Sequence, residues 1–463
     1  MKLPKPARGP LYLPIETVVR ELDGKLLLAA GGVSRGFAVI IGSKGAVRKV
    51  AKSIGRGIWL DKGHGDHYVE RRLRELHLAG LDCTAIDEEG LAFPDPEIYL
   101  KNRKIGTGAA FPYLKAVFSW GEYQSSILSR FDQGHDRLKI TGNPRFDLLR
   151  KPFRNIFIQE IAKIKRHYAP YVLVNTRFAA GNYARYYGKP YLEQMRYTGQ
   201  IRTQEDEEYF IEKYDYMTEL KRYYQELVIT LAREIPGINV VVRPHPSEEH
   251  STWRTAFTGL RNVNVRADGN VVPWILGAQA VIHTGCTTGI ETFAADVPVL
   301  KYHPIYNPRH ESPLANAFGE AFTDGDLLID NVKNRFEKTG TSPNERDAGQ
   351  VENLRKFVMN ADGAFAYERM LDVFDQLSRS SRAGEKITHL PIDHSTGTSI
   401  ALVAKQVLRK SPVKSTQKFP GLSKRAVTTR MKTLMDLIVL RPDQNGRFDL
   451  HQLNKDALII MPS

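Results

Sequence analysis

Short apolar runs recur along this chain, bounded by glycine or proline and separated by stretches of helical periodicity. Lys25–Ala30 (KLLLAA), Phe37–Gly42 (FAVIIG), Gly57–Leu60, Leu81–Ile86 (LDCTAI) and Lys115–Phe118 are the first five. Runs this short and this uniformly apolar fit strands covered on both faces. Asp66–Ala79 and Gly121–Ser129 read as helices between them. Strand, helix, strand in that order is the pattern of parallel βαβ units. It restarts after Thr141–Phe146 (TGNPRF), a segment suited to a boundary. Tyr171–Val174, Ile238–Val242, Ala280–Ile282 and Pro298–Lys301 then read as strands, and Glu205–Arg233 as a long amphipathic helix stopped by Pro236 and Gly237. The expectation is an α/β chain of two Rossmann-like halves, 1–150 and 151–380, with an extension over 381–463.

Charge sets that extension apart. Between Ala401 and Lys432 lie nine basic residues and no acidic one, which is most of the chain's net +14. Such a stretch seeks an anionic surface. Phe419 alone offers a stacking platform there, so nucleic acid is the poorer match and a membrane surface the better. No apolar run reaches the 18 or so residues of a spanning helix, and the basic start MKLPKPARGPLYLP lacks the apolar core of a secretory signal. Cys83 and Cys286 sit in different halves and make neither a disulfide framework nor a zinc site. A cytoplasmic protein, peripheral on the inner face of the membrane, is expected.

Ligands of open parallel sheets bind beyond the carboxyl ends of the strands. Three such ends stand out. Arg243-Pro244-His245-Pro246 places a guanidinium and an imidazole on a turn stiffened by two prolines, a natural phosphate clamp. His283-Thr284-Gly285-Cys286-Thr287-Thr288-Gly289-Ile290-Glu291 opens a helix with hydroxyls and backbone amides suited to a phosphate. Glu291, one turn in, is placed to accept from ribose hydroxyls. It is no Walker loop, since GK[ST] is missing. Asp87-Glu88-Glu89-Gly90 crowds carboxylates at a strand end, where mutual repulsion favours proton retention by one of them. Lys62, Gly63 and His64 follow another strand and are weaker candidates, as is the triplet Asp324-Gly325-Asp326, which reads equally as a turn. Gly106-Thr107-Gly108 lacks the third glycine of a dinucleotide fingerprint.

RPHP, followed by HTGCTTGIE and preceded by Asp-Glu-Glu-Gly in an α/β half, resembles the GT-B glycosyltransferases of bacterial surface-polysaccharide assembly. The likeness is to the surface carbohydrate biosynthesis group, related to transferases that use CMP-Kdo or CMP-nonulosonic acids. LYLPIETVVREL…LLLAAGGVSRG and FSWGEYQS…ITGNPRFDLL are similar too, over roughly residues 11–375. The resemblance implies two Rossmann-like domains facing across a cleft. It implies that His245 and Pro246 contact the nucleotide phosphate together with Thr287 and Thr288, and that Glu88 or Glu89 is the catalytic carboxylate. Arg243, Thr284 and Glu291 complete the expected binding set, with Asp87 beside the catalytic pair. The donor would be a CMP-sugar, the acceptor a glycan or lipid-linked glycan, with no metal or other cofactor. A CDP-polyol phosphotransferase of teichoic-acid type and a UDP-sugar epimerase-like enzyme are the enzymatic alternatives. A nucleic-acid-binding protein is the non-enzymatic one.

Overall fold

Two sheets carry the chain, and both owe their parallel strands to segments buried on either face. The structure, a computed structural model, describes residues 2–65, 67–91, 93, 95–103, 105–184, 188–337, 347–381, 387–389, 419–438 and 447–463. The first sheet contains β1 (Lys2–Ile15), β2 (Phe37–Ser43), β3 (Gly57–Asp61), β4 (Leu81–Ile86), β5 (Leu114–Ser119) and β6 (Leu138–Ile140). They lie in the order β2-β1-β3-β4-β5-β6, all parallel. The second contains β7 (Tyr171–Asn175), β8 (Asn239–Arg243), β9 (Val263–Val265), β10 (Ala280–His283), β11 (Val299–Tyr302) and β12 (Glu320–Phe322). Its order is β12-β11-β10-β7-β8-β9, again parallel, which is the dinucleotide-fold order of two half-units wound outward from β7 and β10. Two Rossmann-like domains of this kind make the GT-B architecture. Their order reverses between β1 and β3 in one sheet and between β7 and β10 in the other, where crevices form.

Lys25–Ala30 departs from expectation. It is not a strand but the middle of the Val18–Ser34 helix. That helix is enclosed by the sheet and by the helices Ala366–Ser380 and Lys424–Ile438, so its run is apolar all round. A buried helix segment and a buried strand cannot be told apart by such a run. At Gly31 a methyl group would come within 2.6 Å of Leu371 and 2.9 Å of Tyr367, so glycine permits the close helix crossing. A strand missed in the sequence is β1, whose prolines disguise an inner strand that pairs with both β2 and β3.

The Ala366–Ser380 helix packs on the first domain, against the Val18–Ser34 helix, β3 and β5. Asp147 fixes its start by accepting from the amides of Ala366 and Tyr367, both at 2.9 Å, and from Asn360 Nδ2 at 2.6 Å. Beyond it, β13 (Ile387–His389) pairs with β1, and β14 (Phe448–Asn454) and β15 (Ala457–Pro462) form a hairpin antiparallel to β2. The described parts of 381–463 therefore extend the first domain. Lys405, Arg409, Lys410, Lys414 and Lys418 of the basic stretch lie outside the described residues. Arg430, by contrast, reaches Asp23 at 3.0 Å and Glu160 at 2.5 Å, so part of that charge serves the fold. Lys424, Arg425 and Lys432 are exposed. Among the described residues no helix is long and apolar enough to cross a membrane.

Candidate functional site

The carboxyl ends of the two sheets meet across a cavity of about 170 Å³. From the second domain it is lined by Arg243, Pro244, His245, Pro246, Cys286, Thr287, Thr288 and Glu291, and from the first by Thr17, Arg20, Glu89 and Arg145. Most of the expected phosphate-binding residues thus share one space, although β8 and β10 deliver them separately.

The His245 turn is held from below by a buried carboxylate that the motif reading missed. Glu248, 1% exposed, accepts from the Thr176 hydroxyl (2.5 Å), the Phe178 amide (3.0 Å) and the His245 amide (3.2 Å) through Oε1. Through Oε2 it accepts from Trp253 Nε1 (2.9 Å) and Asn182 Nδ2 (3.3 Å). Burial raises its pKa, and the donors oppose that rise. His245 Nδ1 accepts from the Ser247 amide at 3.1 Å, which assigns the proton of the neutral ring to Nε2. The sequence signal was available: an acid three residues after a histidine in the turn that follows a strand.

Arg243 plays a different part from the expected clamp. Its two terminal nitrogens donate to the carbonyls of Asp268 (2.9 Å) and Gly269 (3.0 Å), and its guanidinium lies 5.2 Å from the Trp274 ring centre. Burial lowers its pKa to about 10, so it stays cationic at neutral pH. It fixes the loop of residues 267–272, several of which line the cavity.

The Thr287–Ala294 helix opens at the cavity, with Cys286 as its N-cap and no side chain occupying the cap position. First-turn amides and the hydroxyls of Thr287 and Thr288 therefore face a space suited to an anion. Gly289 allows the helix to lie on His283, because a methyl group there would sit 2.2 Å from the imidazole. His283 itself is fully buried, has no ring partner among the described residues, and is held neutral as burial lowers its pKa to about 3. Thr284 does not reach the cavity. It is buried within the fold, its hydroxyl 3.4 Å from His303 Nδ1.

The acidic turn after β4 divides three ways. Asp87 faces inward, bound by Tyr99 (3.1 Å) and Arg103 (2.8 Å), and accepts from the Glu89 amide at 2.9 Å. Glu88 is buried against Lys25 (3.3 Å) and Asn143 (3.4 Å). Burial would raise its pKa, but Lys25, Arg145 and Arg20 outweigh that and lower it. Glu89 alone lines the cavity, its side chain 39% exposed and paired with Arg20 and Arg103. Arg20, and after it Arg103, hold its carboxyl well below the usual range. Proton retention through mutual repulsion is thus overturned for Glu88 and Glu89, because cations from the Val18–Ser34 and Pro96–Arg103 helices surround the turn.

Arg145 and Glu291 join the domains. Arg145 Nη2 lies 2.5 Å from Glu291 Oε1, and Nη1 donates to the Glu88 carbonyl at 2.9 Å, all in buried surroundings. Glu291, expected to meet a ribose, therefore has a first-domain cation as its partner. Lys62 pairs with Glu16 at 3.0 Å, and His64 is buried beside Phe111; neither lines the cavity. Asp324 accepts from the amides of Asp326 and Leu327 at the start of the Gly325–Glu337 helix, the turn reading of that triplet. Among the described residues no cluster of three or more His, Cys, Asp or Glu is arranged to hold a metal.

No protein-family model matches the chain, and the search of curated proteins gave no match. Solved structures of similar arrangement include a putative UDP-N-acetylglucosamine 2-epimerase from Listeria monocytogenes, at 13% identity and a TM-score of 0.47, over 82% of this chain and 99% of that one. The UDP-GlcNAc 2-epimerase from Neisseria meningitidis bound to UDP-GlcNAc is similar at 11% identity and 0.48, over 79% and 100%. The wall teichoic acid polymerase TagF is similar at 10% identity and 0.48, over 81% and 90%. At such identities and scores the strand orders, rather than these neighbours, carry the fold.

Proposed function

We propose that the protein is a GT-B glycosyltransferase that moves a Kdo-like or nonulosonic sugar from a CMP-activated donor to a growing surface glycan. The observation that carries this reading is the single cavity shared by His245, Thr287 and Thr288 from one domain and Arg20 and Glu89 from the other. The donor phosphate belongs at the Thr287 helix start, where hydroxyls and amides meet it, with the Nε2 proton of His245 as a further donor. As the bond between the sugar and the phosphate oxygen breaks, positive charge develops on the sugar and negative charge on CMP. The helix terminus, His245 and Arg20 stabilise the departing CMP. Ionised Glu89 stabilises the cationic sugar, and the acceptor hydroxyl forms the new bond while its proton passes to the departing phosphate of CMP.

Glu89 thus acts through its charge, since its basicity is suppressed by two guanidinium groups. Attachment to an anionic membrane surface through the stretch Ala401–Lys432 belongs to the same reading, and the exposed Lys424, Arg425 and Lys432 support it. A thermal-shift screen with CMP, CDP, UMP, UDP and GDP tests the donor class, because a ligand of the native state raises its stability. Selective stabilisation by CMP is expected. Selective stabilisation by UDP would replace this reading with an epimerase-like one, and by CDP with polyol-phosphate transfer.

A further inference from the structure

A second cavity, of about 630 Å³, opens between the domains and is lined in part by the Pro96–Arg103 helix. Its volume lies inside the range of roughly 300–1,000 Å³ typical of small-ligand sites. Arg103, the last residue of that helix, holds Glu89 at the first cavity, while Ile98 and Lys101 of the same helix line the second. One helix therefore lines the second space and, through Arg103, holds a residue that lines the first.

The lining combines aromatic rings with charges of both signs: Lys101, Arg130, Arg202 and Arg309 stand against Glu97, Glu205, Asp206 and, behind Arg309, Glu212. Phe131 comes from the first domain, Tyr209 and Phe210 from the long helix of the second. Lys101 meets Asp206 at 2.7 Å across the domain boundary, Arg130 meets Glu97 at 3.1 Å, and Arg309 pairs with Glu212. The Arg309 guanidinium also lies 5.5 Å from the Tyr209 ring centre. A strongly anionic ligand would meet no net positive charge there and would compete with these carboxylates for the cations. Hydroxyl groups need not, because paired carboxylates and guanidinium groups keep lone pairs and N–H bonds for further partners. The aromatic faces suit the apolar C–H faces of sugar rings, which bury well against flat rings.

We infer that this second cavity is a saccharide-binding site for an uncharged stretch of glycan, linked to the donor cavity through the Pro96–Arg103 helix, which lines it and holds Glu89 by Arg103. The inference rests on the proposed function for calling that glycan the acceptor. The binding itself does not depend on it.

The test is a glycan-array profile of the full chain, read beside CMP titration of the same samples. Wild type is expected to retain neutral oligosaccharides in preference to sulfated or polyuronate ones. Ile98→Trp and Gln200→Trp fill the cavity from opposite walls, and each should reduce retention at least tenfold while CMP affinity stays within twofold. His245→Ala should keep glycan retention. Two occluding variants guard against one failing to fold, which a melting curve within a few degrees of wild type checks. Equal retention by both occluding variants overturns the site, as does retention of no neutral glycan or preference for an anionic polymer or peptide. Loss of CMP binding by wild type with glycan retention intact would instead sink the donor reading and leave this site standing.

Discussion

Arg145→Ala should destabilise the protein by about 3–5 kcal/mol, the usual cost of stripping one partner from a buried ion pair. Arg145 is 8% and Glu291 3% exposed at their side chains, so neither charge can turn to water for compensation. The same substitution removes the donor to the Glu88 carbonyl and a cation that helps keep Glu88 ionised. Glu291→Gln is the informative companion. It removes the charge at one end but keeps an acceptor oxygen for the guanidinium, so its loss should be clearly smaller. Denaturant unfolding of the two variants checks this, and equal stability of Arg145→Ala and wild type would mean that the domains are not tied here.

Glu248→Ala carries the second large effect. Five donors converge on that carboxylate, and each left buried without an acceptor costs about 1–3 kcal/mol, partly relieved by local shifts. A net loss of about 3–5 kcal/mol is expected, with nucleotide binding abolished because the His245 turn loses its anchor. Glu248→Gln separates positioning from bulk stability. Its amide nitrogen would face donors where an oxygen had accepted, so the turn should shift while the core holds. At least a tenfold loss of CMP affinity is expected, with most of the stability kept. Calorimetric titration alongside denaturant unfolding reads both quantities. Unchanged affinity in Glu248→Gln would show that the buried carboxylate is only a core group.

The architecture was legible because parallel sheets write short, mostly apolar strands, and FAVIIG, LDCTAI and INVVV did so. The KLLLAA run misled for the same reason: a helix buried on all sides loses its polar face. The β1 strand and the β14–β15 hairpin escaped because prolines and scattered charges mask segments that tertiary pairing makes regular. At the site, the strand-end rule found His245, Thr287, Thr288 and Glu89, since these follow strands directly. It placed Thr284, Asp87 and Glu88 wrongly in the cavity, because a strand-end residue can face inward as easily as outward. Arg20 and Arg145 were invisible to it, being contributed by a helix and a short turn rather than by a motif, and Glu248, a buried support just beyond the His245 turn, was passed over. The suppressed basicity of Glu89 depends on Arg20 and Arg103, which lie 69 and 14 residues away in sequence.

The most direct test is a calorimetric titration of CMP into wild-type protein and the His245→Ala variant, with folding verified by melting. Wild type should bind CMP, and the variant should bind it about 10- to 100-fold more weakly, the worth of one hydrogen bond to a charged group. No CMP binding by the wild type, or equal affinities in the two proteins, would contradict a phosphate site built around that imidazole.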